Sequence, residues 1–167
     1  TSGRNFKGCP VFFASGNRAA NGWMRGGSRY RIRVGDVVLS SGTYRIYFAY
    51  KHWGGSAGSK SVRIDNVCVL QPDGYTHLDT FMRQDFEGPT FPPAGWEAFP
   101  GDPEWLRSSS IAFTGTGGAW SAQTPVLSYG QRATLIAPAV ELDTNDLICF
   151  AARIDMDTST NQFLVGL

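Results

Sequence analysis

The chain has 167 residues, of which 42% are apolar and 17% charged, and its formal net charge is +1. That length suits one large domain with a sizeable core, and that apolar content argues against a disordered chain. Near-neutral charge gives no footing for nucleic acid or an acidic membrane, and no run of about 18 apolar residues exists to insert into a bilayer.

Twenty Gly and nine Pro are scattered as punctuation through a chain with 13% aromatic residues. The mixture predicts many short strands joined by turns. The first residue is Thr1, which reads as a mature or excised piece. Cys9, Cys68 and Cys149 are widely spaced and form no metal motif. Two readings stay open for them: three small buried side chains, or one disulfide with one cysteine left over.

In chain order, Val11–Ala14 is a predicted strand, followed by a turn at Asn21-Gly22 and a short strand at Trp23-Met24. Arg29–Val34 alternates, with Tyr30, Ile32 and Val34 on one face and Arg29, Arg31 and Arg33 on the other. Thr43–Lys51 is the clearest strand of the first half, with Tyr44, Ile46, Phe48 and Tyr50 sharing a face. The Gly-rich stretch His52–Ser59 follows, where a lone histidine is expected to be solvated. Lys60–Leu70 is the next strand. Its apolar parity slips between Val62, Ile64 and Val67, Val69, which predicts a β-bulge at Asp65-Asn66. Residues 71–80 read as a linker.

The second half opens on Asp85–Trp96, a short strand at Asp85-Phe86-Glu87, then a Gly-Pro turn, a Pro-Pro corner and a Gly95-Trp96 anchor. Trp105–Phe113 is predicted as one strand, with a further short strand near Trp120. Arg132–Ala137 is a strand that Pro138 stops. Leu147–Ile154 points Ile148, Phe150, Ala152 and Ile154 inward. A polar hairpin at Asp155–Thr160 and a strand from Gln162 to Leu167 complete the chain. No window carries a helical period, so the fold class is all-β, with the Thr43, Lys60 and Leu147 strands central.

An opening FEG, a PPAGW corner, Leu135–Leu142 (LIAPAVEL) and a hydrophobic strand, in that order, resemble the choice-of-anchor J and cleaved-adhesin modules of bacterial surface proteins, which are gingipain adhesin-like and MAM-like. The resemblance implies a jelly-roll β-sandwich of two antiparallel sheets. It also covers the first half in reverse order. Val38-Leu39-Ser40, Tyr44–Tyr50 and Ile64–Val69 match the pattern that closes such modules, so residues 1–70 look like the back of one and 81–167 like the front. One sandwich over residues 1–167 is expected. It reads as a permuted module, one period of a tandem array, or a fragment spanning two modules. A strand ending at Leu167 would leave an open edge, closed by residues Asn5–Phe13 of the same chain or by a neighbouring copy.

The resemblance implies a structural calcium ion held by Glu87, with Asp85 nearby, and by Asp65, with Asn66 nearby. Backbone hydrogen bonding is the alternative role for these side chains. Trp53 and Trp120 are the candidate ligand platforms, set against burial at the sandwich edge. Arg29, Arg31, Arg33 and Arg45 are candidates for one basic sheet face. No nucleophile, base and acid come together, so no enzyme is expected. The expected function is a non-catalytic, extracellular adhesion or surface-assembly module at the cell surface, one form of which is a repeat of a surface filament joined by strand exchange; the alternative is a carbohydrate-binding module of a secreted protein. Its partners would be other copies or neighbouring modules, and a host or matrix protein or glycan.

Overall fold

In a computed structural model, residues 11–12, 29–36, 38–53, 61–71, 83–109, 120–155 and 161–167 are described. Alternating segments become strands: β1 (Val11–Phe12), β2 (Arg29–Arg33), β3 (Gly42–Lys51), β4 (Ser61–Leu70), β5 (Glu97–Ala98), β6 (Leu106–Ser108), β7 (Ser121–Gln123), β8 (Arg132–Leu142), β9 (Leu147–Asp155) and β10 (Gln162–Gly166). They pair antiparallel in two five-stranded sheets, ordered β1-β10-β3-β8-β5 and β2-β9-β4-β7-β6. The chain is therefore an all-β sandwich, and each sheet draws strands from both halves of the sequence.

The inner faces follow the predicted parity. Ile46, Phe48 and Tyr50 of β3 are fully buried, as are Val62, Ile64, Val67 and Val69 of β4, while Ile148, Phe150 and Ala152 of β9 meet them in the same core. Phe48 sits at the centre, edge-on to Phe150 at 5.2 Å and stacked on Trp96 at 6.4 Å. Trp96 and Trp105 are buried, as expected of aromatics that fill a sandwich edge.

Two bulges keep these faces in phase. In β4 the register slips between Asp65 and Cys68, and Asn66 takes φ 48°. The extra residue puts both Ile64 and Val67 in the core, as the parity slip predicted. In β8 the slip falls opposite Arg45 and Tyr47, where Ala137 and Pro138 stand against Ile46 alone. Pro138 therefore does not stop the strand. A bulged position requires no ladder N–H, so β8 continues to Leu142, and burial switches from Ala133, Leu135 and Ala137 to Val140 and Leu142. The side chain of Arg45 uses the local disturbance, its Nε donating to the Ala137 carbonyl at 2.8 Å. Gly95 packs beside the same bulge at φ 81°. A Cβ there would come within 2.9 Å of the Pro138 ring, so both its backbone angle and its contact require glycine.

Other expectations are corrected. Asp85-Phe86-Glu87 is not a strand, because Phe86 adopts φ 59° and only Gln84 makes a ladder-like bridge, to Val67. The Trp105 strand is limited among the described residues to Leu106–Ser108, and Trp120 immediately precedes β7. Arg29, Arg31 and Arg33 belong to β2 and Arg45 to β3, which lie in different sheets, so they do not share a face. The Trp23-Met24 strand, the 71–80 linker beyond Gln71 and the 155–160 hairpin beyond Asp155 lie outside the described residues. At the edge that concerned Leu167, β1 of the same chain pairs with β10, Val11 opposite Leu164 and Phe12 opposite Phe163.

Candidate functional site

Two clusters of charged and aromatic side chains result from this topology. The first lies beside the β4 bulge. Asn66 tolerates the left-handed backbone better than most residues do, and its N–H donates to Asp65 Oδ1 at 2.7 Å. Asp65 is 2% exposed. The next residue, Val67, exchanges two backbone hydrogen bonds with Gln84, at 2.8 and 2.7 Å. That bridge brings the 84–87 segment against β4. Gln84 Oε1 accepts from the Phe86 N–H at 2.6 Å, and Asp85 Oδ1 accepts from the Glu87 N–H at 3.2 Å. Arg107 of β6 donates to the Phe86 and Glu87 carbonyls at 3.1 and 3.0 Å, and its guanidinium lies 3.8 Å from the centre of the Trp120 ring. The Trp120 N–H donates to Glu87 Oε1 at 2.9 Å.

Sequence reasoning placed Asp65, Asn66, Asp85 and Glu87 together, and the structure sets them on adjoining segments. Backbone N–H groups donate to the Asp65, Asp85 and Glu87 carboxylates, and the Arg107 guanidinium donates to the Phe86 and Glu87 carbonyls. Among the described residues, no group of three or more His, Cys, Asp or Glu is arranged to hold a metal ion. Trp120 joins this cluster, with one ring face covered by Arg107.

The second cluster lies where β3 leaves the other sheet. Lys51 and Arg132 are register partners on β3 and β8. The chain then turns through His52, whose N–H donates to Gln131 O at 2.9 Å and whose carbonyl accepts from the Gly130 N–H at 2.7 Å. Trp53 is fixed by its N–H to Asn161 Oδ1 at 2.7 Å. Its ring receives the Lys51 ammonium at 4.1 Å and meets Tyr129 edge-on at 5.8 Å. Tyr129 is 74% exposed. Arg132 Nε donates to Asp102 Oδ2 at 3.1 Å, Thr134 donates to the same oxygen at 2.7 Å, and the guanidinium lies 5.2 Å from the Phe99 ring. Lys51, Asp102, Gln131 and Arg132 line a cleft of about 290 Å³. Burial, and then the Arg132 charge, hold the Lys51 ammonium below the usual lysine value.

Trp53 follows β3 and Trp120 precedes β7, strands of different sheets, so the two do not make one platform. His52 is not solvated but 2% exposed, because the 128–131 turn is bonded to its backbone and Tyr50 lies beside its ring. Sequence reasoning missed Lys51, Arg132, Asp102 and Tyr129. The only sequence signal was Lys51 and Arg132 at the ends of alternating runs. Their meeting depends on register, which a sequence does not display. No protein-family model, curated protein or solved structure matches this chain.

Proposed function

We propose that this chain is a non-catalytic, extracellular adhesion or surface-assembly module that takes its ligand at the Lys51–Arg132 cleft. The observation carrying this reading is the charge balance of the cleft. Among the described residues, two cations line it with one carboxylate, Asp102, next to the Trp53 and Tyr129 rings. A surplus positive charge beside aromatic surface suits an anionic group on a larger ligand, a carboxylate or sulfate of a matrix glycan or protein. The carbohydrate-binding reading has its own support, since Tyr129 is exposed at the edge of Trp53.

Calorimetric titration separates them. Sulfated or uronic-acid oligosaccharides and acidic peptides are the anionic probes, and uncharged oligosaccharides the control. Anionic probes are expected to bind, and Lys51→Ala and Trp53→Ala to weaken them about 5- to 30-fold. Equal binding of uncharged sugars, insensitive to Lys51→Ala, would favour the carbohydrate module. No binding to any probe would sink both readings.

Strand order supports a jelly-roll origin for the sandwich. With the outermost strands β5 and β6 set aside, and numbering from β7 through β10 and on through β1 to β4, the other eight strands read 1-8-3-6 in one sheet and 2-7-4-5 in the other. That order matches two Greek keys wrapped together and is compatible with a module whose back half precedes its front half, whether permuted, one period of an array or a fragment of two modules. Assembly with other copies is part of the proposal, but β10 already has β1 and β3 on its two sides, so contacts between copies use other surfaces than that strand. A structural calcium ion, if the module takes one, would use Asp65 and Glu87 and compete with Arg107 for the adjoining carbonyls. Added calcium should then raise the melting temperature and a chelator remove the gain, and indifference to both would exclude it.

A further inference from the structure

We propose that Cys68 and Cys149 form a reversible cross-strand disulfide that locks β4 to β9. The two are register partners in the centre of their sheet. The bulge makes them so. If the Asp65–Ala151 register ran on with no bulge, Val67 would face Cys149, and Cys68 would face Ile148. The flanking residues Val67, Val69, Ile148 and Phe150 are all core residues, which puts both cysteines on the opposite, outer face. Both residues are partly exposed, and each carries a thiol. Cys149 Sγ lies 3.9 Å from the Leu147 carbonyl, two residues along the same strand and face.

The Cα separation suits the bond, and the Cβ separation requires a local approach of the two strands. Val67 directs its backbone groups to Gln84, away from β9, so those of Cys68 face β9. Such a hydrogen-bonded antiparallel pair has Cα atoms about 5.5 Å apart, inside the roughly 4.4–6.8 Å that disulfides span. In a hydrogen-bonded pair the Cβ atoms stand at the wide end of about 4.5–5.5 Å, and a disulfide wants about 3.5–4.5 Å. Closing the bond therefore draws the strands together, which makes it easier to reduce than a relaxed disulfide.

A small-molecule disulfide of the glutathione type is the oxidant. One protein thiolate attacks it, forming a mixed disulfide and releasing one small thiol. The second protein thiolate attacks the protein sulfur of that mixed disulfide and releases the other. Two protein S–H bonds and one small S–S bond are consumed, and one protein S–S bond and two small thiols form.

The test incubates the full chain with oxidised glutathione or with a reductant, then maps peptides without reduction. The expected product is a Cys68–Cys149 cross-link, lighter by two hydrogens, retained in Cys9→Ser. The oxidised protein should melt on the order of 5–15 °C above the reduced one. Cys149→Ala should abolish that difference. If the variant fails to fold, peptide mapping of the unaltered chain still decides. Complete alkylation of both thiols after oxidation, or a cross-link that runs to Cys9 instead, overturns the proposal.

Discussion

The corner beside the β4 bulge and the cleft at the end of β3 are assembled from the same kinds of residue, and they differ in how their charges are matched. In the corner, Arg107 spends two N–H groups on the Phe86 and Glu87 carbonyls and its flat face on Trp120, while Trp120 returns an N–H to Glu87. In the cleft, Lys51 faces the like charge of Arg132 and an aromatic ring, and Asp102 pairs with Arg132. A cation whose donors meet fixed acceptors holds the fold together. A cation held near another cation weakens the fold locally and gains when an anion arrives. Composition alone does not tell these situations apart, since each has a Trp, a cation and a carboxylate.

The largest expected effect tests the corner. Arg107→Ala removes two charged hydrogen bonds and the stacking on Trp120, and it should cost about 2–4 kcal/mol in urea unfolding. Lys51→Ala in the cleft should change stability by no more than about 0.5 kcal/mol. Similar losses for the two variants would erase the distinction between a structural and a recognition cluster.

A smaller effect sharpens the account of the corner. Asn66 holds φ 48° at the bulge that brings the 84–87 segment against β4. Asn66→Gly should be close to neutral, whereas Asn66→Val should cost about 1–3 kcal/mol, because a β-branched residue resists that conformation. Thermal melts of the two variants measure the contrast. Equal melting temperatures would show that backbone strain at Asn66 contributes nothing.

Much of the sandwich was legible because its signal is local. Alternation identified the inner residues of β3, β4 and β9, and the parity slip at Asp65-Asn66 identified a bulge. The same slip was present in β8, from Leu135 and Ala137 to Val140 and Leu142, but Pro138 concealed it. A proline reads as a stop unless the missing N–H falls where no partner needs it. Phe86 misled in the opposite direction, as an apolar residue in an extended-looking run whose backbone turns left-handed. The corner was half legible, through Asp65 and Glu87, while Arg107 gave no local hint that it would cap their segment. The cleft was the least legible. Lys51 and Arg132 lie far apart in sequence, and only the β3–β8 register joins them.

The smallest effect concerns the titration of Lys51, and its sign follows from that register. Desolvation first, and Arg132 second, lower the Lys51 pKa from its ordinary 10.5. Between the folded and unfolded pKa values the unfolded chain binds more protons, so stability should rise with pH through that window and be flat below it. Ligand affinity should run the other way. An anionic ligand favours the charged ammonium, so binding should weaken as pH climbs through the Lys51 pKa. Arg132→Gln removes the second cause and should move the decline to higher pH. Titrations of an anionic oligosaccharide across the alkaline range measure this, with Lys51→Gln as reference. If Lys51→Gln shows the same alkaline decline as the unaltered chain, Lys51 is not the group that meets the anion.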